Sequence, residues 1–310
     1  MKKPKISIIM PCYNEATRIS QSVASVFQQS FTDFELIIVD DGSADNSLDM
    51  LAQLSAKYPD LRYFSQTNKG AGPARNRGLT EAKGEYIAFL DADDSWHPDC
   101  LFNLYQTLAS NPDATIAYGG WQNIGLEENK CKPFIPPDYE TPEKTESLLR
   151  GCRWPIHAAL TRASAIKEIN GFDEQWTSCM DYNLWLNIAS FNKILLVPQI
   201  LAYYHHHQGE QITKNRIRIA LNHWRIQLKF LHDHPDIAKS LGCKKVKEIT
   251  DGELLHRGYI SYWARDLKTS HTLFRKVLLR GYFKLNDLKY LLPTLLPFRL
   301  YQPLILVMEK

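Results

Sequence analysis

The chain has 310 residues, 44% of them hydrophobic and 23% charged, with a formal net charge of +3. That much apolar material supports one substantial core plus a smaller helical extension and excludes a disordered chain, and the near balance of charge gives no reason to expect nucleic acid as a partner. The six scattered cysteines form no C-x-x-C pair and have no histidine at zinc-finger spacing, so they read as reduced and structural.

The chain opens with Lys2, Lys3 and Lys5, but the apolar run that follows is too short for a signal peptide, so the cytoplasm is the expected compartment. Ile6 to Met10 is a β-branched run that reads as a buried strand ended by Pro11. Ile19, Val23, Val26 and Phe27 recur at helical steps, and Phe34 to Val39 forms a second strand, completing a βαβ unit. The alternation continues. Leu48, Leu51, Leu54 and Tyr58 mark a helix, residues 61–64 a strand, residues 74–82 a helix and residues 86–90 a strand. Such alternation predicts an α/β fold, a mainly parallel sheet flanked by helices, with ligands at the carboxyl ends of the strands.

Residues 121–145 are rich in Pro, Lys and Glu and read as a long loop or an insertion. Beyond about Glu210 the pattern becomes helical, with Ile217, Leu221, Trp224, Leu228 and Leu231 on one stripe. The last stretch, Leu291 to Met308, is apolar but interrupted by Pro293, Pro297, Arg299 and Pro303, too broken to span a bilayer though suited to lying on one. From Lys268 onward the charge leans positive, which would draw this segment to an anionic cytoplasmic membrane surface. The expected division is 1–210 for a catalytic domain and 211–310 for a helical region.

The chemistry concentrates at the strand ends. Phe89-Leu90-Asp91-Ala92-Asp93-Asp94 ends an apolar strand in D-x-D, and on an extended backbone Asp91 and Asp93 face one side. Two such carboxylates suit a hard divalent cation, Mn2+ or Mg2+, shared with a diphosphate. The structural alternative is that Asp94 and Ser95 merely cap the next helix.

Three further segments close strands of the same sheet: Met10-Pro11-Cys12-Tyr13-Asn14-Glu15, Val39-Asp40-Asp41-Gly42-Ser43, and Asn68 to Asn76 with Gly70, Gly72 and Arg75. With the D-x-D, this set resembles the nucleotide-binding half of the GT-A fold, specifically the inverting glycosyltransferase family two, over about residues 5 to 210. The resemblance implies a bacterial-type polysaccharide or lipopolysaccharide glycosyltransferase that uses a nucleotide sugar, a UDP-sugar by the match at Asp41. Carried over by position, Pro11, Tyr13, Asn14, Glu15 and Asp41 would surround the nucleoside base, Asp41 accepting from the uracil imide. Asp91, with Ala92 beside it, would approach the ribose or donor sugar, Asp93 the metal, and Arg75 a phosphate. Gly70-x-Gly72-x-x-Arg75 lacks the third glycine of the dinucleotide fingerprint and follows the third strand rather than the first, which argues against NAD.

Gly171-Phe172-Asp173-Glu174 and Cys179-Met180-Asp181-Tyr182 resemble the family's later segments, which makes Asp181 the base that deprotonates the acceptor hydroxyl; as a plain alternative it caps the helix that carries Leu184, Trp185 and Ile188. Met180 stands where the family often has Glu. In His205-His206-His207, three consecutive side chains cannot all reach one ion; the family's late histidine matches His207, a candidate metal or diphosphate contact, and His205 stands where an Arg is frequent. Trp154, His157 and Trp176 fall where this family builds its acceptor site, or they are an aromatic core. The acceptor implied is a glycan or a lipid-linked glycan. Two rival classes are a sugar-nucleotide nucleotidyltransferase, which should carry a Gly- and Lys-rich first loop that Pro11 to Arg18 lacks, and a non-catalytic binding protein of the same fold.

Overall fold

Strand β1 (Ile6–Cys12) exposes almost no side chain, so it can only lie inside a sheet covered on both faces. In the computed structural model, which describes residues 3–127, 130–207 and 214–308, β1 pairs in parallel with β2 (Phe34–Asp40) on one side and with β4 (Tyr86–Phe89) on the other. Strand β3 (Leu61–Ser65) adds to β2, also in parallel. Helices α1 (Ile19–Phe27), α2 (Ser47–Lys57) and α3 (Ala71–Glu81) make the connections.

Alternation along the strands feeds two layers. Ile8, Met10, Leu36 and Ile38 pack with Val23 and Val26 of α1, while Ile37 and Val39 meet Ala74 of α3. Each such fully buried aliphatic side chain is worth about 1.5–3 kcal/mol over its exposed state. Helix α3 lies unusually close to β1, because a Cβ on Gly78 would stand 2.5 Å from Ile9 Cγ2.

Pro11 does not end β1, which runs on to Cys12 opposite Asp40. The β4 ladder stops at Ile9, and Asp41 N donates to Cys12 O at 2.8 Å on the β2 side. Residue 11 therefore points its backbone beyond the end of β4, where a missing N–H costs no ladder bond.

Beyond β4 the sheet becomes mixed. Antiparallel β8 (Ala159–Arg162) joins β4 to β6 (Ala114–Ile124), β6 pairs in parallel with β9 (Lys193–His205), and β5 (Ser95–Trp96) closes on β9. Helices α4 (Cys100–Ala109), α5 (Lys144–Arg150), α6 (Ala163–Glu168) and α7 (Met180–Ala189) complete this half. The expected loop over 121–145 is partly strand: β6 continues to Ile124 opposite His205, and β7 (Pro133–Phe134) pairs with Trp121 and Gln122. The polar sequence Gln122-Asn123 hides this strand, which is made by the length of β9 rather than by local propensity.

The chain divides into two compact units, Met1–Gly209 and Glu210–Lys310. The second contains α8 (Arg216–Asp233), α9 (Pro235–Lys247), α10 (Glu253–Trp263), α11 (Leu267–Arg280), α12 (Leu288–Leu291) and α13 (Phe298–Met308). Its core is two apolar clusters, one around Trp224, Leu254, Leu273 and Val277, the other around Tyr262, Phe274, Leu291, Tyr301 and Ile305. Among the described residues no helix is long and apolar enough to cross a membrane.

Candidate active site

The loops after β1 and β2 are stitched into one floor. Asn14, held at φ 56°, donates its N–H to Ser43 Oγ at 2.9 Å and accepts Ala44 N at Oδ1 at 2.8 Å. Glu15 N donates to Ser47 Oγ at 2.9 Å and Ala16 N to Asp45 Oδ2 at 3.1 Å. Asparagine is among the few residues that tolerate the left-handed region, which is why it serves here. Tyr13 stands 46% exposed on this floor and Pro11 is half-buried. Ser43 lies in the strand-end segment the sequence singled out, whereas Asp45 and Ser47 do not; a serine- and aspartate-rich stretch after a strand is their signal.

Asp41 is 3% exposed and faces the loop that opens α3. Its Oδ1 accepts from Lys69 N at 2.9 Å and Gln66 Nε2 at 2.8 Å, its Oδ2 from Gly70 N at 2.7 Å. Three of the roughly four acceptor positions of a carboxylate are thus filled from within the chain. Gly70, at φ 97°, supplies a backbone state that few other residues adopt.

The D-x-D does not lie on an extended strand. β4 ends at Phe89, and Asp94 N donates to Asp91 O at 3.1 Å, so residues 91–94 form a turn. The pleat argument for Asp91 and Asp93 is corrected accordingly: the turn, not strand periodicity, brings both acids to one region. Asp91 pairs with the Arg75 guanidinium, which is almost fully buried, contacts Met180 Sδ through Nη1 at 3.2 Å and lies over the Phe172 ring. The side chain of Ala92 is buried, and its carbonyl accepts from Ser22 Oγ at 2.8 Å, which pins the turn to α1.

Asp93 Oδ2 lies 2.9 Å from His207 Nε2. Burial, then repulsion from Asp94 and Asp91, pushes the Asp93 carboxyl up to about 6 against the pull of His207. Glu15, Asp93 and His207 each offer a ligand atom, all within 4.8 Å of one another. Glu15 is also held by Arg18 Nε at 2.6 Å.

The three histidines diverge as successive extended residues must. His205 Nε2 meets Ser95 Oγ at 2.8 Å, His206 Nε2 meets Asn123 Oδ1 at 2.8 Å, and His207 alone turns to Asp93. Asp94 caps no helix; α4 begins after Asp99. Instead Asp94 is fully buried, accepts His205 N at 2.9 Å and faces His157 Nδ1 at 3.1 Å. Burial works to lower the His157 pKa, but Asp94, followed by Asp91 and Asp93, overcomes it and leaves it raised. His157 also stacks near Tyr204, so it belongs to the support of the acidic turn. Trp154 is buried among Tyr118, Tyr139 and Trp185, and Trp176 is buried as well.

Asp181 does not cap α7: the cap position is Cys179, at φ 58°, and Asp181 lies inside the first turn. Burial raises its carboxyl above the usual range, opposed by the neighbouring Arg75 and assisted by Asp91. The loop before it is clamped by Asn76, which accepts Phe172 N at 2.8 Å and donates to Glu174 Oε1 at 2.9 Å. The site thus gathers Asp91, Arg75, Met180 and Asp181 on one side and Glu15, Asp93 and His207 on the other, around the turn that holds Asp91 and Asp93.

Residues 7–169 match the family described as Glycosyl transferase family 2. The chain is 35% identical over 251 residues to an uncharacterized glycosyltransferase of Haemophilus influenzae, covering 78% of this chain and 94% of that protein. It spans 34% to 65% of the length of the first four curated relatives it matches. Two solved structures share the fold at 19% identity. One is S. aureus TarS 1–349 in complex with UDP-GlcNAc, with TM-score 0.60 over 90% of this chain and 93% of that one. The other is the mannosyltransferase PcManGT from Pyrobaculum calidifontis in complex with GDP-Man and Mn2+, with TM-score 0.61 over 98% and 84%.

Proposed function

The chain belongs to glycosyl transferase family 2, and we propose that it moves one sugar from a UDP-sugar to a hydroxyl of a glycan or lipid-linked acceptor, with inversion and with help from a divalent cation. The observation that carries this reading is the convergence of Glu15, Asp93 and His207 within 4.8 Å beside the Arg75–Asp91 pair. On this reading the protein works in the cytoplasm, in the assembly of a cell-surface polysaccharide.

The residues fit a metal. Two carboxylates and an imidazole form the set, and the raised Asp93 pKa marks negative charge that the chain leaves uncompensated. Carboxylate oxygens suit Mg2+ and Mn2+ alike, and the nitrogen ligand favours Mn2+. A cation held there supplies neutralising charge to a departing nucleoside diphosphate.

The chain's own residues do the rest. Arg75, already aimed at Asp91, offers further guanidinium donors to a phosphate. The free acceptor position of Asp41 takes the imide N–H of a uracil, while its other contacts fix the loop at Gly70. Asp181, whose carboxyl burial raises above its ordinary value, takes the acceptor's proton as that oxygen attacks the anomeric carbon opposite the leaving diphosphate. Met180 in place of the family's frequent Glu leaves Asp181 as the acid available at the start of α7.

The test is binding and hydrolysis of a panel of UDP-, GDP- and TDP-sugars with Mn2+, with Mg2+ and with chelator, on wild type and Asp93→Ala. Metal-dependent use of one UDP-sugar, lost in the variant, is the expected result. Failure to bind any nucleotide sugar under any of these conditions would favour the non-catalytic reading.

A further inference from the structure

The second unit ends in a helix that is apolar on both sides. Tyr301 and Ile305 of α13 point inward to the cluster with Tyr262, Phe274 and Leu291. Leu300, Leu304 and Val307, at the same helical spacing, are exposed, Val307 at 69%. A helix that merely covered its own core would carry polar residues there. The exposed apolar surface continues along the preceding chain, through Leu285 at 84%, Leu292 and Leu295, and α11 adds Leu279 at 73%. Scattered single exposed leucines need no explanation, whereas a density such as this marks an interaction surface.

The charge along it is predominantly basic, even with Arg280 paired to the buried Asp251 at 3.3 Å. Between Lys268 and Met308 there are seven lysines and arginines, all exposed, against one acid, Asp287, which accepts from Lys284 N and Tyr259 Oη. The aromatic surroundings fit as well: Trp263, 62% exposed, sits 6.1 Å from the Tyr290 ring, and Lys289 Nζ lies 4.9 Å over that ring. Exposed aliphatics, a predominantly basic surround and amphipathic aromatics are the makings of a face that lies in the interfacial layer of a bilayer. A second copy is disfavoured as the occupant, because a two-fold contact would set the same positive field against itself.

We infer that the outer face formed by α13, the 3-10 turn Leu292–Leu295 and the end of α11 docks the protein on an anionic lipid bilayer. This goes beyond the reading of the active site, and its test requires neither donor nor turnover. Full-length protein is co-sedimented with vesicles of phosphatidylcholine alone and of phosphatidylcholine mixed with phosphatidylglycerol, at low and high salt. Binding is expected to the anionic vesicles and to fall with salt. The pair Lys284→Glu and Arg299→Glu should lower partitioning by at least about tenfold, and the pair Leu300→Glu and Leu304→Glu should abolish it. All four positions are exposed, and an unchanged melting curve verifies that each variant folds. Three results would overturn the inference: no vesicle binding, binding indifferent to lipid charge, or a dimer in sedimentation velocity that the leucine pair dissociates.

Discussion

Ring nitrogen Nε2 of His207 stands 2.9 Å from Oδ2 of Asp93, so the turn after β4 and the end of β9 meet at one carboxylate across 114 residues of chain. Burial and two neighbouring acids hold that carboxyl up near 6, whereas in the unfolded chain it titrates near 3.9. The folded state therefore binds the proton first as pH falls, and stability declines as pH rises from about 4 to about 6. Asp93→Asn keeps an acceptor for His207 and removes the charge. It should stabilise metal-free protein at about pH 7, by an amount of order 1–3 kcal/mol, and have no effect below about pH 4. Calorimetry at both pH values decides; a loss of stability near neutrality would mean the charge is already compensated.

The same carboxyl must lose its proton before it can bind a cation. Mn2+ affinity should accordingly rise as pH climbs through about 6 and level off above it. His207→Ala should weaken it by roughly tenfold to a hundredfold, and Glu15→Gln by a similar factor. Electron paramagnetic titration of free Mn2+ reads both effects without any turnover, and equal affinity at about pH 5 and pH 7 would remove Asp93 from the ligand set.

The parallel half of the sheet was legible because β1, β2 and β4 are short, mostly apolar runs, broken only by the buried Ser7 and Glu35, and because α1 and α2 carry apolar residues at helical steps. The candidate site was legible as a set of strand ends. What stayed hidden depends on partners far along the chain. Asp94 looks like a helix cap until His157 and the amide of His205 are seen to face it. The turn at Asp91 to Asp94 is fixed by Ser22 of α1, and the strand at Trp121 to Ile124 by β9. Neither leaves a periodic trace, because tertiary pairing overrides weak local preference.

Asp181 is expected to act on chemistry rather than on binding. Asp181→Asn should leave donor affinity near the wild-type value and lower kcat by about a hundredfold to ten-thousandfold. Because its pKa is raised by burial, the acid side of the kcat/KM profile should break above the ordinary carboxylate range, activity being lost as the base takes up its proton. Release of nucleoside diphosphate over a pH series measures this; an unchanged acid limb in the variant would assign the base elsewhere.

Arg75 bridges Asp91 and Met180. A lysine there keeps the charge but cannot hold the carboxylate and a phosphate together with a planar fork. Arg75→Lys should raise the donor KM roughly tenfold to a hundredfold, with a smaller change in stability than Arg75→Met, which leaves Asp91 without its cation. Steady-state kinetics of the lysine variant beside thermal melts of both separate the two effects.

The Asp94–His157 pair is buried on both sides, 3.1 Å apart, directly behind the acidic turn. Removing one partner of such a pair leaves the other desolvated and unmatched, a cost of about 3–5 kcal/mol. Asp94→Ala should therefore destabilise strongly, all the more because His205 N loses its acceptor. The histidine pKa is raised in the fold, so its charged contribution is fully present below the unfolded value of about 6.5 and is lost as pH climbs through the folded one. The gap between wild type and Asp94→Asn should consequently be widest below about pH 6.5 and shrink as pH rises above it. Denaturant melts over a pH series measure it. A gap that does not change would mean that His157 is neutral throughout and that Asp94 holds the turn through the His205 amide alone.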